Sequence, residues 1–126
     1  METNSVIKNR EAELPIPSKW RSTIAKIVDA LVAEDYVLRS VVPNSELRSS
    51  DVASQMRSYI EDYGEKLIPL SEKCWDSSVY IWQGKDWLAL VDLSTDKEEV
   101  SDLVMQLSIS ELEADFKFTV EMVYVP

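Results

Sequence analysis

Leu103-Val104-Met105-Gln106-Leu107-Ser108-Ile109-Ser110 is the stretch on which the fold class turns. Leu103, Met105, Leu107 and Ile109 alternate with Val104, Gln106 and Ser108, a period of two that lines up one face of a strand. The competing reading is a third helix over residues 95–112, capped by Ser94 or Thr95. The sustained alternation decides for strand. Downstream, residues 110–115 read as a connector, and Phe116, Phe118, Val120, Met122 and Tyr124 alternate strictly with Lys117, Thr119, Glu121 and Val123. Upstream, Val79, Ile81 and Gln83 alternate with Tyr80 and Trp82. Gln83-Gly84-Lys85-Asp86 has the composition of a short hairpin turn, and Trp87, Ala89, Val91 and Leu93 line the return strand. Residues 94–100 form a polar link to the strand at residue 103.

Nearer the N-terminus the period is helical. Leu14-Pro15-Ile16-Pro17 reads as extended, because proline fixes φ and biases its predecessor away from α. Ser18 can then cap a helix whose stripe is Trp20, Ile24, Ile27, Val28 and Leu31, running through about residue 34. Val37, Leu38, Val41 and Val42 are apolar without a period, and Pro43-Asn44 signals a turn. Ser50 or Asp51 caps a second helix with Val52, Met56, Tyr59, Ile60 and Tyr63 on its buried face, and Gly64 stands where a left-handed residue must end it. The expected fold is α+β: two N-terminal helices packed on one face of a four-stranded antiparallel meander, in the order α-α-β-β-β-β. Residues 1–17 are expected to be an extended or disordered segment, and residues 18–126 a single α+β domain. The opposite sheet face should be partly wet, showing Gln106, Ser108, Lys117, Thr119 and Glu121.

Composition narrows the function mostly by exclusion. The chain has 126 residues, which suits one domain. It has no histidine, which removes every Ser-His, Cys-His and His-metal arrangement. A lone Cys74 cannot form an intrachain disulfide or a thiolate-rich metal site, and two glycines cannot build a phosphate cradle. Against 13 Lys and Arg stand 23 Asp and Glu, a formal charge of -10. Residues 1–70 carry -2 of it, while residues 71–126 carry -8, with only Lys73, Lys85, Lys97 and Lys117 opposing twelve acids. Such a surface repels nucleic acid and anionic membranes and attracts a basic protein. The longest apolar run, Trp87-Leu88-Ala89-Leu90-Val91, is far short of the ~20 residues that span a bilayer. Residues 1–13 lack the apolar core of a secretory signal, and a free thiol suits a reducing compartment, so the protein is expected to be cytoplasmic.

Each candidate chemistry has a plainer competitor. Asp92-Leu93-Ser94-Thr95-Asp96-Lys97-Glu98 starts like a calcium loop, but Lys97 stands where glycine belongs and Leu103 where a bidentate glutamate belongs. It reads as a solvated turn with local bonds from Ser94 and Thr95. The carboxylate sets Glu98-Glu99, Asp92 with Asp96, and Glu111, Glu113 with Asp115 lie in turns, where water does not raise a pKa for acid–base work. Cys74 beside Lys73 reads as a small packed residue. Trp20 belongs to the helix stripe, Trp82 and Trp87 to cross-strand packing, and Trp75 would be a binding anchor if exposed. Alternate links of a meander share an end of the sheet. Asp92, Asp96, Glu98, Glu99 and Asp102, with Trp75 and Asp76, therefore form a candidate partner-binding surface. Asp86, Glu111, Glu113 and Asp115 form a second acidic patch at the opposite end. No catalytic residue, metal ligand or cofactor is expected.

Three runs carry a family resemblance: Tyr63-Gly64-Glu65-Lys66-Leu67-Ile68-Pro69-Leu70, then Trp87-Leu88-Ala89-Leu90-Val91-Asp92-Leu93-Ser94-Thr95, then Glu98-Glu99-Val100-Ser101-Asp102-Leu103. The chain resembles a group of small bacterial domains of unknown function that pair a helical N-terminal part with an Asp-Leu-aromatic-Thr strand end and a Glu-Gly-x-Ser-Asp-Leu motif. Here Ser94 replaces the aromatic residue and Glu99 the glycine. The resemblance covers roughly residues 18–125 and implies a two-layer α+β fold; it transfers no catalytic residue. More loosely, the chain is similar to acidic immunity proteins encoded beside bacterial toxins, including those of contact-dependent inhibition, many of which present carboxylates to the cationic site of a nuclease.

The expected function is that of a non-enzymatic binding module, most concretely an immunity protein whose acidic surface blocks the active site of a cognate, basic protein toxin, with nucleases among the candidates. No direct binding to nucleic acid or membrane is expected, and the chain should be a monomer or weak homodimer. The alternative from another class is a small-molecule-binding or enzymatic domain with a pocket between helices and curved sheet, marked by a buried carboxylate of raised pKa. A third reading is a dimer or scaffold module, marked by a self-complementary apolar surface.

Overall fold

The proline-fixed segment ahead of the first helix is already part of the sheet. In the computed structural model, which describes residues 6–39 and 42–126, Leu14–Pro15 is a short strand, β1, paired with the strand that starts at Val79. Val41 and residues 1–5, read above as part of the aperiodic stretch and of the N-terminal segment, lie outside the described residues. Helix α1 is Ser18–Val32. Its N-cap is Pro17, not Ser18: the φ of -62° and ψ of 143° at Pro17 aim its carbonyl at the Trp20 amide, 3.0 Å away, and no side chain caps the helix. Glu34 closes it with a left-handed φ of 62°.

Strand β2 (Ser45–Leu47) and helix α2 (Asp51–Tyr63) follow, and Gly64 ends α2 with φ 81°, as its position predicts. Next come β3 (Leu67–Ile68), a four-residue helix α3 (Cys74–Ser77), β4 (Val79–Trp82), β5 (Trp87–Asp92), β6 (Ser94–Thr95), β7 (Val104–Leu112) and β8 (Asp115–Tyr124). The decisive stretch is therefore strand, and the helical alternative over residues 95–112 is excluded. The expected meander β4-β5-β7-β8 forms the middle of the sheet, all antiparallel.

The layout of two helices and four strands is too small. Among the described residues there are three helices, and the sheet has six strands in the order β1-β4-β5-β7-β8-β2, with a separate ribbon of β3 and β6. The added pieces are two to four residues long, too short to display a period. β2 pairs parallel to β8, and the long connection between them, α2 included, supplies the crossover that a parallel pair needs. No helix among the described residues is long and apolar enough to cross a membrane.

The inward stripe packs against α1 and α2. Tyr80, Trp87, Ala89, Val91, Met105, Leu107, Ile109, Phe116, Phe118 and Val120 share one apolar cluster with Trp20, Ile24, Ile27, Val28, Leu31, Val52, Met56 and Ile60. Trp20, 0% exposed, is its centre, with edge-on contacts at 5.2 Å to Tyr80, 5.5 Å to Trp87 and 5.6 Å to Phe116. Each such side chain contributes on the order of 1.5–3 kcal/mol by leaving water. Val6 and Ile16 are buried in the same core, so it reaches ahead of Ser18.

The strict alternation expected for β8 breaks at Glu121. Leu107 faces Val120 but Gln106 faces Met122, so Glu121 is an extra residue and the phase flips. Val123 is consequently buried, while Met122 and Tyr124, expected inside, are half-buried on the other face. Beyond β2, the Gln55 side chain from α2 takes over the edge of β8: its Nε2 donates to the Val123 carbonyl at 2.5 Å and its Oε1 accepts from the Val123 amide at 3.1 Å.

The second face of the sheet is divided. On β7, β8 and β2 it carries Gln106, Ser108, Lys117 and Glu121, all half-buried, whereas Thr119, expected to be wet, is buried at 6% exposure between its neighbours. Its charges are paired there: Lys117 with Glu46 at 3.0 Å, and Arg48 with Glu121 at 2.6 Å, where Glu121 also accepts from Ser108 Oγ at 2.6 Å. On β4 and β5 the same face carries Val79, Ile81, Leu88 and Leu90, all half-buried and outside the core cluster.

Candidate functional site

The acidic residues singled out around residue 92 converge on one end of the sheet, held by a knot of hydrogen bonds. Gly64 turns the chain out of α2 into β3, which pairs with β6 in the register Leu67↔Thr95 and Ile68↔Ser94. That ribbon brings residues 63–76 against residues 92–102. Ser94, Thr95 and Ser101 are buried there and organise the link from within. Ser94 Oγ donates to the Glu99 carbonyl at 2.6 Å and accepts from the Ser71 amide at 3.0 Å. Thr95 Oγ1 donates to Glu65 at 2.6 Å and accepts from the amides of Lys97 and Glu98. Ser101 Oγ donates to the Leu93 carbonyl at 2.7 Å and accepts from the Leu103 amide. Buried hydroxyls with partners on both sides cost little and fix the backbone.

The carboxylates are the outer layer of that knot. Asp92 accepts from Ser77 Oγ, and Asp96 accepts from the Lys66 amide at 3.1 Å. Glu99 accepts from Ser71 Oγ at 2.5 Å and pairs with Lys73 at 3.8 Å. Tyr63 donates to Glu98 and accepts from the Asp102 amide at 3.2 Å. The hydrogen bond to Glu98 raises the Tyr63 phenol above its ordinary value, because it favours the neutral form. Glu72, Asp76 and Asp102 are exposed. Residues 65–76 and 92–102 thus place eight acids (Glu65, Glu72, Asp76, Asp92, Asp96, Glu98, Glu99, Asp102) against Lys66, Lys73 and Lys97.

Trp75 does not join this surface. Helix α3 turns it inward, 6% exposed, with the Arg21 guanidinium 5.1 Å over its ring. Cys74 is packed, as expected, on α3. Burial, ahead of a smaller opposing hydrogen bond from Ser94, raises its thiol pKa.

The second patch gathers at the other end, where the turns at residues 83–86 and 113–114 lie side by side. There the acids meet bases from the N-terminal segment: Lys8 pairs with Glu111 at 3.1 Å and lies 5.0 Å over the Trp82 ring, and Arg10 Nη2 reaches the Gln83 carbonyl at 3.5 Å. Asp115 accepts from Asn44 Nδ2 at 3.1 Å. Trp82 and Trp87 pair directly across the hairpin, 4.9 Å apart.

No described Asp or Glu is buried; the buried polar residues are Ser78, Ser94, Thr95, Ser101 and Thr119. Glu121 is shifted down, chiefly by its hydrogen bonds to Arg48 and also by Ser108. The space between helices and sheet is filled by the core cluster. Two cavities, of about 620 and 390 Å³, open instead on either side of Tyr36, between the end of α1 and α2. They are lined by Glu34, Asp35, Arg39 and Arg57 on one side and by Ile60, Glu65 and Lys66 on the other.

A family described as a domain of unknown function, DUF7668, matches residues 28–126. The chain belongs to that family. The matched stretch contains β2 to β8, and with them the whole hydrogen-bonded knot; it begins inside α1, so Trp20, Ile24 and Ile27 lie ahead of it. No curated protein and no solved structure gives a match.

The acids had been located by residue type and by the alternation of links. Their partners had not: Tyr63 and Glu98 are 35 residues apart, and Thr95 and Glu65 are 30 apart. The signal that could have joined them is the co-occurrence of the three quoted runs, whose residues 63–70, 92–95 and 98–103 lie at this end of the sheet.

Proposed function

We propose that this DUF7668 chain is a non-enzymatic protein-binding module, and that the acidic end around Asp92, Asp96, Glu98, Glu99, Asp102 and Asp76 receives a basic protein surface. The observation that carries the reading is the excess of eight acids over three lysines on two facing segments, residues 65–76 and 92–102, whose backbone is already fixed by buried hydroxyls. Carboxylates held in place lose little entropy on binding, and their field accelerates encounter with a cationic partner. The absence of histidine and the solvent contact of every described Asp and Glu favour binding over proton transfer. The most concrete form is a cytoplasmic immunity protein that occludes the active site of a cognate toxin, with a basic nuclease fitting the charge best.

The test is co-expression with the product of the neighbouring gene, followed by affinity capture at low and high salt. A complex that weakens steeply with salt, together with protection of the host cell, is the expected result. If the two proteins neither associate nor protect, the reading falls.

A further inference from the structure

The cavity of about 620 Å³ beside Tyr36 has one wall made of a short, tightly held connection and another made of α2. In the connection, the Asp35 amide donates to the Ala30 carbonyl at 2.9 Å and the Leu38 amide to the Asp35 carbonyl at 3.3 Å. Asp35 Oδ1 accepts from the Arg39 amide at 2.9 Å. Glu34 and Leu38 bracket the segment with φ values of 62° and 55°, which L side chains rarely adopt. Residues held in that region cluster at ligand clamps and switches. Across the cavity α2 contributes Ala53, Ser54 and Arg57. Val37, half of it exposed, adds an apolar side chain that the core does not cover.

Two guanidinium groups border this cavity, and the fold leaves donors on both unspent. Arg39 makes no ion pair and no side-chain hydrogen bond among the described residues. Arg57 gives only its Nε to Glu61, at 3.3 Å, so its Nη groups have no hydrogen-bond partner there. Glu34 and Asp35 oppose them, which makes the cavity formally neutral on a chain of net charge -10. Hydrogen bonding tips the balance toward an anion. Asp35 is already engaged, whereas the guanidinium N–H groups and the Ser54 hydroxyl are not. The smaller cavity behind Tyr36 sets Glu34, Glu61 and Glu65 against Lys66 and repels an anion. We propose that the larger cavity binds a small organic anion, its carboxylate or phosphate head held by Arg39 and Arg57 and its apolar body lying against Tyr36, Val37 and Ala53. A guanidinium fork meets either head in bidentate fashion, so the two heads share one recognition chemistry. Neither arginine belongs to the acidic end, so this inference goes beyond that reading and does not rest on it.

Titration of the isotope-labelled full chain, followed by amide NMR shifts, tests it with phenyl phosphate, phenylacetate and the neutral benzyl alcohol. At least one of the anions should move the amides of residues 33–39 and 53–57, with a Kd on the order of 0.1–5 mM for so small a fragment. The head that binds tighter names the ligand class. Benzyl alcohol should bind at least ~10-fold more weakly, because it brings no charge to the guanidinium groups. Arg39→Gln should weaken the anion about tenfold with unchanged circular dichroism, and Arg57→Gln should do the same should the first variant fold poorly. Glu34→Gln, which removes an opposing charge, should tighten it about threefold. Four results each overturn the proposal. Neither anion moves these amides by ~20 mM; the shifts are as large at Lys8 and Arg10, where cations stand outside this cavity; benzyl alcohol binds as tightly as the anions; or a folded Arg39→Gln chain binds like the wild type.

Discussion

At one end of the sheet the links are pinned by hydroxyls, those of Tyr63, Ser71, Ser94, Thr95 and Ser101; at the other they are pinned by rings, those of Trp20, Trp82, Trp87 and Phe116. Of the eight acids that face three lysines at the first end, Glu65, Asp92, Asp96, Glu98 and Glu99 are hydrogen-bonded to the chain that displays them. Those at the second are partly neutralised by Lys8 and beside Arg10. The difference teaches how one small domain separates stability from display. Apolar packing carries the fold at the aromatic end, and the acidic end can carry like charges because its backbone is fixed by bonds that need no apolar cover.

That contrast can be broken at either end. The largest effect is expected at the aromatic end: Trp20→Ala should cost about 3–5 kcal/mol, enough to approach global unfolding, because the cavity lies where three rings meet. Denaturant titration followed by fluorescence measures it. At the acidic end, Ser94→Ala should cost about 2 kcal/mol, since the Glu99 carbonyl and the Ser71 amide lose their shared partner. Hydrogen exchange should then rise in residues 65–76 and 92–102 while the β7–β8 ladder keeps its protection.

Charge reversal sharpens the comparison without touching either packing scheme. Asp76→Lys with Asp102→Lys should slow association with a basic partner about tenfold, or ~1.4 kcal/mol, whereas Asp86→Lys with Glu113→Lys should change it less than ~3-fold. Stopped-flow rates at low salt decide between them. The smallest effect belongs to the sheet between the two ends. Glu121 is shifted down by Arg48, so its contribution is complete above the ordinary glutamate value of 4.5 and is lost as pH falls through its depressed value. Thermal melts below pH 4.5 should therefore fall less steeply for Glu121→Gln than for the wild type, and the variant should be about 1 kcal/mol less stable at neutral pH.

The long strands and both main helices were legible because they repeat: Leu103 to Ile109 shows its period over enough residues to outweigh a helix. Pieces of two to four residues show none, which is why β1, β2, β3, β6 and α3 were missed. β8 misled for a different reason. Val120, Met122, Val123 and Tyr124 are all apolar, so the sequence is equally compatible with either phase after Glu121, and only the pairing with β7 reveals the extra residue. Trp75 misled because α3 is a single turn, invisible as a helix, and its turn carries the ring inward beneath Arg21. The acidic end was found by charge, yet much of its rigidity depends on partners 23 to 39 residues away, a relation that spacing along one chain does not encode.

Gln55 has a consequence for the fate of the protein at high concentration. β8, the longest strand, would otherwise finish with a row of vacant amide and carbonyl groups beyond the reach of β2, a template on which a stray chain could polymerise. A primary amide reproduces the donor and acceptor of one more backbone unit, and hung from a helix it cannot be extended further. The molecule ends its own ladder with a rung that has no successor, leaving that edge closed to amyloid-like growth.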